Sequence, residues 1–260
     1  MNRIEEAFRN KKRPLLIPYI TGGDPSLDKT EGLIFALEEG GADIIELGIP
    51  FSDPIADGPI IQEACNRALK KGASLKKIIE LVGRMRKKTK VPIVLLSYYN
   101  PIYKYGISSF IEDAEKNGVD GLIVADLPPE EGEELRKLCV KKGICLIFLL
   151  APTSPPSRIK LISNKSSGFV YYVSLLGITG IREKLRDRLI DDLVMVRKFC
   201  PKPIALGFGI SKPEHVKEVL NIVDGVIIGS AIVDIIAKNQ ENPEEKVKLF
   251  VNEIKKACKK

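Results

Sequence analysis

The stretch of sequence that decides the fold is Gly41-Ala-Asp-Ile-Ile-Glu-Leu-Gly48, which continues into the loop Ile49-Pro-Phe-Ser-Asp-Pro-Ile-Ala-Asp-Gly-Pro59. Its central part, Asp43–Gly48, is short and carries the apolar residues Ile44, Ile45 and Leu47, which indicates a strand. One amphipathic stretch precedes it at Leu27–Glu39 and another follows at Ile60–Leu69. This order predicts a buried strand between two helices.

The same alternation continues from one end of the chain to the other. Eight short runs are predicted as strands: Leu15–Thr21, Asp43–Gly48, Pro92–Ser97, Gly121–Ala125, Cys145–Leu150, Phe169–Ser174, Pro203–Phe208 and Gly225–Ile228. Eight amphipathic stretches are predicted as helices: Arg3–Asn10, Leu27–Glu39, Ile60–Leu69, Leu75–Lys88, Ser108–Asn117, Glu130–Lys142, Lys184–Phe199 and Pro213–Leu220. Strands that alternate with helices form a parallel sheet with right-handed crossovers, and eight such units fit a closed barrel of about 250 residues.

These patterns predict an α/β fold, a single (β/α)8 TIM barrel domain over residues 1–260. A helix at Arg3–Asn10 precedes the first strand, and Gly229-Ser230 opens an extra short helix before the last barrel helix. The alternative is an open doubly wound sheet. No G-x-G-x-x-G sequence opens the first βα turn, so the signal for a dinucleotide site is missing.

Composition excludes several classes of function. The chain has 41 Lys and Arg against 34 Asp and Glu, a formal charge of +7, and a single histidine, His215. Mechanisms that need two or three imidazoles are therefore excluded. The five cysteines are scattered without a C-x-x-C pair, so we expect no metal site and a reducing, cytosolic environment.

The charged and apolar residues also bear on location and partners. No apolar run approaches the roughly 18 residues that span a bilayer. Acidic residues at Glu5 and Glu6 stand where a signal peptide would have its apolar core, so we expect a cytoplasmic protein. The basic patches at Arg84–Lys88 and Lys255–Lys260 lack interleaved aromatic residues. A solvated basic face is therefore favoured over a nucleic-acid groove.

Two carboxylates near the second strand are candidate catalytic groups. Glu46 lies inside an apolar strand, where burial raises a carboxyl pKa and lets it exchange protons near neutrality. The alternative is a structural Glu that is satisfied by a Lys, a Tyr or the backbone, but none of the predicted strands contains Lys or Arg. Asp57 follows in a loop with three prolines, and on its own Asp57-Gly58 is only a turn signal.

Three glycine-bearing turns follow the sixth, seventh and eighth strands. They are Leu176-Gly-Ile-Thr-Gly180, Gly207-Phe-Gly-Ile-Ser211 and Ile228-Gly-Ser-Ala-Ile232. Glycines let backbone N–H groups approach an anion, and barrel enzymes often bind a substrate phosphate after the last strands. The turns therefore predict a phosphate site, with tight turns and no ligand as the alternative.

These groups restrict the chemistry. A Schiff-base aldolase needs a strand lysine, and a metal-dependent aldolase needs clustered histidines or carboxylates. His215 falls in the first turns of an outer helix and is expected at the surface. Neither requirement is met, so the remaining mechanism is proton transfer between the carboxylates and a phosphorylated substrate.

Several motifs resemble one known family over essentially the whole chain. They are Pro18-Tyr-Ile-Thr-Gly-Gly-Asp-Pro25, Glu46-Leu-Gly-Ile-Pro-Phe-Ser-Asp-Pro-Ile-Ala-Asp-Gly-Pro59, Ser97-Tyr-Tyr-Asn-Pro101, Ala125-Asp-Leu-Pro128, Tyr171-Tyr-Val-Ser-Leu-Leu-Gly-Ile-Thr-Gly180, Gly207-Phe-Gly-Ile-Ser211 and Gly229-Ser-Ala-Ile-Val233. The sequence thus resembles the tryptophan synthase α subunit. The resemblance implies a lyase that cleaves indole-3-glycerol phosphate to indole and glyceraldehyde 3-phosphate, without a cofactor of its own.

The same resemblance implies roles for individual residues. Glu46 would shuttle protons as a catalytic group, and Asp57 would accept the indole N–H. The substrate would contact Tyr19, Leu96, Leu127, Tyr171, Thr179, Gly180, Phe208, Gly209, Gly229 and Ser230. The segment from Leu175 to Asp187 resembles a lid whose Thr179 reaches Asp57 on closure. Tyr19, where Phe is common, and Leu175, where some members carry Arg, depart from the family pattern.

The family also implies a partner. A β subunit that carries pyridoxal phosphate would form an α2β2 heterotetramer and receive the indole by channelling. The predicted contact residues are Phe51, Asp53, Pro54, Asn100 and Pro128. A stand-alone lyase that releases indole, a catalytically silent regulator of a β subunit, and another phosphate-binding barrel enzyme are the alternatives.

Overall fold

Parallel strands form one nearly closed barrel in the computed structural model. The structure describes residues 2–11, 13–173, 182–207 and 209–258, and for residues 182–188 it describes the backbone alone. Within those residues the strands are β1 Leu15–Thr21, β2 Ile45–Gly48, β3 Ile93–Ser97, β4 Gly121–Val124, β5 Cys145–Ile147, β6 Leu149–Leu150, β7 Val170–Val173, β8 Ile204–Gly207 and β9 Gly225–Ile228. Their order is β5-β4-β3-β2-β1-β9-β8-β7-β6. The two edge strands are consecutive in the chain, so the sheet curls back on itself and the predicted barrel is confirmed.

The fifth predicted strand, Cys145–Leu150, is divided in two. β5 and β6 are separated by Phe148, whose backbone N–H donates to the Ser166 hydroxyl at 3.2 Å instead of to a neighbouring strand. The Phe148 carbonyl still accepts from the Tyr171 N–H at 3.2 Å. Two strand segments therefore occupy the place of one strand in the barrel.

Helices surround the strands in the described part of the chain. They are α1 Arg3–Arg9, α2 Leu27–Gly40, α3 Pro59–Lys70, α4 Leu75–Met85, α5 Tyr99–Tyr105, α6 Ile107–Lys116, α7 Glu133–Lys142, α8 Pro156–Lys165, α9 Arg182–Phe199, α10 Pro213–Val219, α11 Ser230–Lys238 and α12 Pro243–Ala257. Every predicted helix is present, and α11 is the extra short helix that precedes the last one. α5 and α8 were not predicted, and α12 is the last barrel helix, which was predicted without bounds.

The apolar residues form an inner and an outer layer. Alternate strand residues such as Ile17, Ile123 and Ile147 fill the barrel interior, and the larger layer packs the outer strand faces against the helices. Ile4 and Phe8 of α1 are buried in the inner layer and close the barrel at the amino-terminal ends of the strands. Burial of two such side chains contributes roughly 3–6 kcal/mol.

Two aspartates, the buried Asp120 and the half-buried Asp43, reinforce the same end. Asp120 accepts the Ile93 N–H at 2.8 Å and pairs with Arg86 at 2.5 Å, and Asp43 accepts the Leu16 N–H at 2.7 Å. Because these groups fill the amino-terminal end, space remains at the carboxyl-terminal ends of the strands, which is where barrel enzymes place their sites.

Candidate active site

A cavity of about 320 Å³ opens at the carboxyl-terminal ends of the strands. Its described lining is Tyr19, Glu46, Ala56, Asp57, Ile61, Leu96, Ala125, Leu149, Tyr171, Val173, Gly209, Ile210, Ser211, Ile227, Gly229, Ser230 and Ala231. Both predicted carboxylates therefore face one cavity. Its volume lies in the range of small-molecule sites, about 300–1,000 Å³.

Glu46 is a buried acid on β2. Glu46 is 1% exposed, and its Oε2 atom has no hydrogen-bond partner among the described residues. The strand register places Tyr19 and Val94 beside it, so neither neighbour on the sheet carries positive charge. Burial, and secondarily the charge of Asp57, raises the pKa of Glu46 to about 8. Glu46 thus holds a proton at neutral pH and can release it.

Asp57 lies in the loop between β2 and α3. Its backbone N–H donates to the Pro54 carbonyl at 3.0 Å, and its own carbonyl accepts from the Gln62 side chain at 2.8 Å. Burial raises the pKa of the Asp57 carboxyl, and a hydrogen bond from the Tyr98 hydroxyl at 3.0 Å opposes that rise. Asp57 is thereby held as the more acidic member of the pair.

Two tyrosines form opposite walls, and strand-end glycines make room for them. A Cβ atom at Gly48 would lie 2.2 Å from the Tyr19 hydroxyl, and one at Gly207 would lie 2.3 Å from the Tyr171 ring. The Tyr19 hydroxyl is 3.2 Å from the Thr21 hydroxyl. Burial raises the pKa of both tyrosines well above their usual value, so both phenols stay neutral.

The wall beside α11 combines glycine backbone with the amino terminus of a helix. Gly209, Gly229 and Ser230 line the cavity, and α11 begins at Ser230 with Gly229 as its N-cap. The first N–H groups of a helix lack intrahelical partners and favour negative charge. Gly209 has φ +83°, a conformation that few other residues adopt. Ser211, which the sequence analysis did not assign, also lines this wall.

The two leucines that were predicted to contact the substrate, Leu96 and Leu127, lie in different surroundings. Leu96 lines the cavity, whereas Leu127 is absent from its described lining and is buried in the outer apolar layer, 8% exposed. Ile61, Leu149 and Ile227 line the cavity instead and were not predicted. Their apolar side chains alone carried no signal that distinguished them from core residues.

Four predicted positions lie outside the described residues: Leu175, Thr179, Gly180 and Phe208. The same holds for residues 175–181 of the predicted lid. His215, expected at the surface, is half-buried, and its Nδ1 accepts the Ser211 N–H at 3.3 Å.

The predicted partner contacts surround the mouth of the barrel. Phe51, Asp53 and Pro54 lie in the loop after β2, Asn100 lies in α5, and Pro128 follows β4. Asp53 and Asn100 are exposed. Two large apolar side chains on the same segments, Ile55 at 83% and Tyr103 at 66% exposure, were not predicted.

Among the residues with described positions, no group of three His, Cys, Asp or Glu side chains is arranged to hold a metal ion. The five cysteines are buried and unbridged. No helix in the described part of the chain is long and apolar enough to span a membrane.

Comparison with known proteins agrees with this geometry. The family model for the tryptophan synthase alpha chain matches residues 6–259. A tryptophan synthase alpha chain from Caldanaerobacter subterraneus subsp. tengcongensis is 50% identical over 256 residues, which cover 96% of this chain and 97% of that one.

Solved structures are similar throughout. The tryptophan synthase subunit alpha from Legionella pneumophila superposes with a TM-score of 0.92 at 36% identity, over 99% of this chain and 98% of that one. A chain of the tryptophan synthase α2β2 complex from Pyrococcus furiosus gives a TM-score of 0.88 at 44% identity, over 93% and 98%. The chain belongs to the tryptophan synthase alpha chain family.

Proposed function

We propose that this chain, as one domain over residues 1–260, is a carbon–carbon lyase that cleaves indole-3-glycerol phosphate to indole and glyceraldehyde 3-phosphate. The observation that carries the proposal is the buried carboxyl of Glu46, whose Oε2 atom has no hydrogen-bond partner among the described residues and which shares a cavity with Asp57 and the amino terminus of α11. Family membership supports the same activity.

Glu46 supplies the proton that makes cleavage possible. Indole is a poor carbanion leaving group, so ring carbon C3 is protonated before the bond to the glycerol chain breaks. Glu46, with a pKa of about 8, gives up this proton and becomes a carboxylate. It then accepts the proton of the adjacent glycerol hydroxyl as that carbon becomes the aldehyde. The bonding pair returns to the ring, indole is restored, and Glu46 is protonated again.

Asp57 stabilises the charge that forms in between. Protonation at C3 makes the ring nitrogen cationic, and the Asp57 carboxylate accepts the ring N–H and offsets that charge. The two acids therefore need opposite protonation states. The higher pKa of Glu46 and the Tyr98 hydrogen bond to Asp57 support that division.

The remaining walls hold the two ends of the substrate. Gly209, Gly229 and Ser230 bind the phosphate, and the family resemblance adds Gly180 and Phe208 to this group. Tyr19, Leu96 and Tyr171 enclose the indole side, and the resemblance adds Thr179 as a lid residue that reaches Asp57. Exclusion of water by such a lid favours the intended proton transfers.

The chain works with a β subunit in an α2β2 assembly and passes indole to it. A related chain occurs in the P. furiosus α2β2 complex, whose structure concerns mutual activation. Phe51, Asp53, Pro54, Asn100 and Pro128 make the contact with the β subunit. No cofactor belongs to this chain, pyridoxal phosphate belongs to the partner, and the complex is cytoplasmic.

The test is an indole assay on purified protein with indole-3-glycerol phosphate, with and without a β subunit. Cleavage that the β subunit accelerates is expected. Glu46→Gln serves as the matched control, because it keeps the shape of the side chain and removes the exchangeable proton. Equal turnover in both conditions argues for a stand-alone lyase. Binding to the β subunit without turnover argues for a silent regulator. The absence of both turnover and binding contradicts the proposal.

A further inference from the structure

We propose that Tyr98 is a positioning residue that holds the Asp57 carboxylate and its loop in the orientation that cleavage requires. The proposal rests on the function proposed above. Tyr98 directly follows β3, and its hydroxyl contacts two residues of the loop between β2 and α3. It donates to Asp57 Oδ2 at 3.0 Å and accepts the Ala56 N–H at 2.9 Å.

The Tyr98 ring is fixed by its surroundings. It is 2% exposed and packs against the Phe51 ring, with centroids 5.4 Å apart and planes at 35°. The Ser97 hydroxyl donates to the Tyr98 carbonyl at 2.9 Å, which restrains the backbone at the end of the strand. A rigid strand thus holds the hydroxyl, and the hydroxyl in turn holds the loop that carries Asp57.

Tyr98 acts on the site through Asp57. The described lining of the cavity includes Ala56 and Asp57 but not Tyr98, so the phenol contacts the catalytic loop from outside that lining. Its removal therefore affects how Asp57 meets the ring nitrogen in the transition state more than it affects ground-state binding.

The electrostatic surroundings of Asp57 make this hydrogen bond the specific stabiliser of its charge. Among the side chains that the structure describes, the titratable groups that interact with Asp57 are Tyr19 on β1, Glu46 on β2, Cys65 on α3, Tyr98 after β3 and Tyr171 on β7. None of these groups is cationic. Burial raises the pKa of the Tyr98 hydroxyl, so it keeps its proton and remains a donor. Without that donor, burial raises the pKa of the Asp57 carboxyl further.

The experiment compares Tyr98→Phe with Tyr105→Phe. Tyr105 makes the same kind of bond, from its hydroxyl to Asp113 Oδ2 at 2.5 Å, but it lies outside the cavity lining and serves as the matched control. Tyr98→Phe is expected to lower kcat about tenfold with KM within about twofold, because a hydrogen bond to a charged group is lost. The acid limb of its kcat–pH profile should move up by about one pH unit. Tyr105→Phe should leave both unchanged.

A carboxyl NMR titration of 13C-aspartate-labelled protein, assigned with Asp57→Asn, tests the same point without turnover. The Asp57 pKa should rise in Tyr98→Phe and stay constant in Tyr105→Phe. If the wild type cleaves substrate but Tyr98→Phe has an unchanged rate and pH profile, the positioning role is wrong while the proposed function stands. If the wild type is inactive, the proposed function fails, and an unchanged Asp57 titration then overturns the positioning role as well.

A second substitution protects the test from a folding defect in Tyr98→Phe. Replacement of Tyr98 by 3-fluorotyrosine keeps the hydrogen bond and makes the phenol a stronger donor. The Asp57 pKa and the acid limb should then move down, and movement upward or none contradicts the proposal.

Discussion

Replacement of Glu46 by Gln should abolish a pH-dependent loss of stability that the wild type shows. The folded protein holds the Glu46 carboxyl at a pKa of about 8, against an ordinary value of 4.5. Between pH 4.5 and about pH 8, Glu46 therefore keeps its proton in the folded state and has lost it in the unfolded state. Stability from this group is therefore complete below the ordinary pKa and is lost as pH rises through the folded-state pKa.

The size of the effect follows from the two pKa values. At pH 7 the Glu46 carboxyl ionises in the unfolded state and stays protonated in the folded state, which lowers the free energy of unfolding by about 3 kcal/mol. This loss grows by about 2 kcal/mol between roughly pH 5.5 and 7.5. This is a large fraction of the 5–15 kcal/mol, roughly, that stabilises a typical domain. The neutral Gln side chain has no such dependence.

The assay is urea unfolding of the wild type and Glu46→Gln at several pH values in that interval. The free energy of unfolding of the wild type should fall relative to that of Glu46→Gln as pH rises. Glu253→Gln on α12 is the control, because this side chain is exposed and stays in water before and after unfolding. Parallel curves for the wild type and Glu46→Gln would refute the reasoning, since the carboxyl would then not be buried without a partner.

Three further outcomes follow from the site. Asp57→Asn should lower kcat by about 100-fold, because a neutral amide does not offset the ring charge; steady-state kinetics with near-normal turnover would assign the ring N–H to another group. Ser230→Ala should raise KM more than it lowers kcat, and the reverse pattern would mean that this contact acts mainly in the transition state. Gly207→Ala should destabilise the fold by about 1–3 kcal/mol in urea unfolding, because its Cβ would lie 2.3 Å from the Tyr171 ring. Gly225→Ala is the matched control, since its Cβ would make an ordinary 3.4 Å contact, and equal losses would exclude the steric explanation.

Much of the barrel is predictable from local pattern. β1 and β9 begin and end where the apolar runs do, and β2, β3 and β4 differ from prediction by one or two residues at an end. The reason is that both faces of a parallel strand are covered, so its whole length is apolar and its flanks are not.

Helices were less predictable where apolar periodicity is weak. α5 is seven residues long and contains Pro101, and α8 begins at Pro156. Proline is tolerated in the first turn of a helix, but in a sequence it indicates a turn at least as strongly. Tertiary packing decides such cases.

Within the site, polarity in an apolar strand was the informative signal. It identified Glu46, and the adjacent loop supplied Asp57. Tyr98 was present in a motif of the family resemblance but had no assigned role, because its contact with Asp57 joins two loops 41 residues apart in the chain. Leu127 lies in the outer apolar layer, and its contact with the substrate stays a prediction, because residue type alone does not distinguish the two layers.

The strand-end glycines have a consequence for how this cavity can change in evolution. At Gly48 the space of an absent methyl is filled by the Tyr19 ring, so an added methyl collides with the ring and a truncated ring leaves a void. Either replacement alone lowers the stability of the fold, whereas both together restore the packed volume. The effects of the two neighbouring replacements are therefore not additive. A change of this cavity to fit a bulkier or smaller aromatic substrate therefore requires substitutions at both positions. Variants with only one of them are selected against because they lose stability.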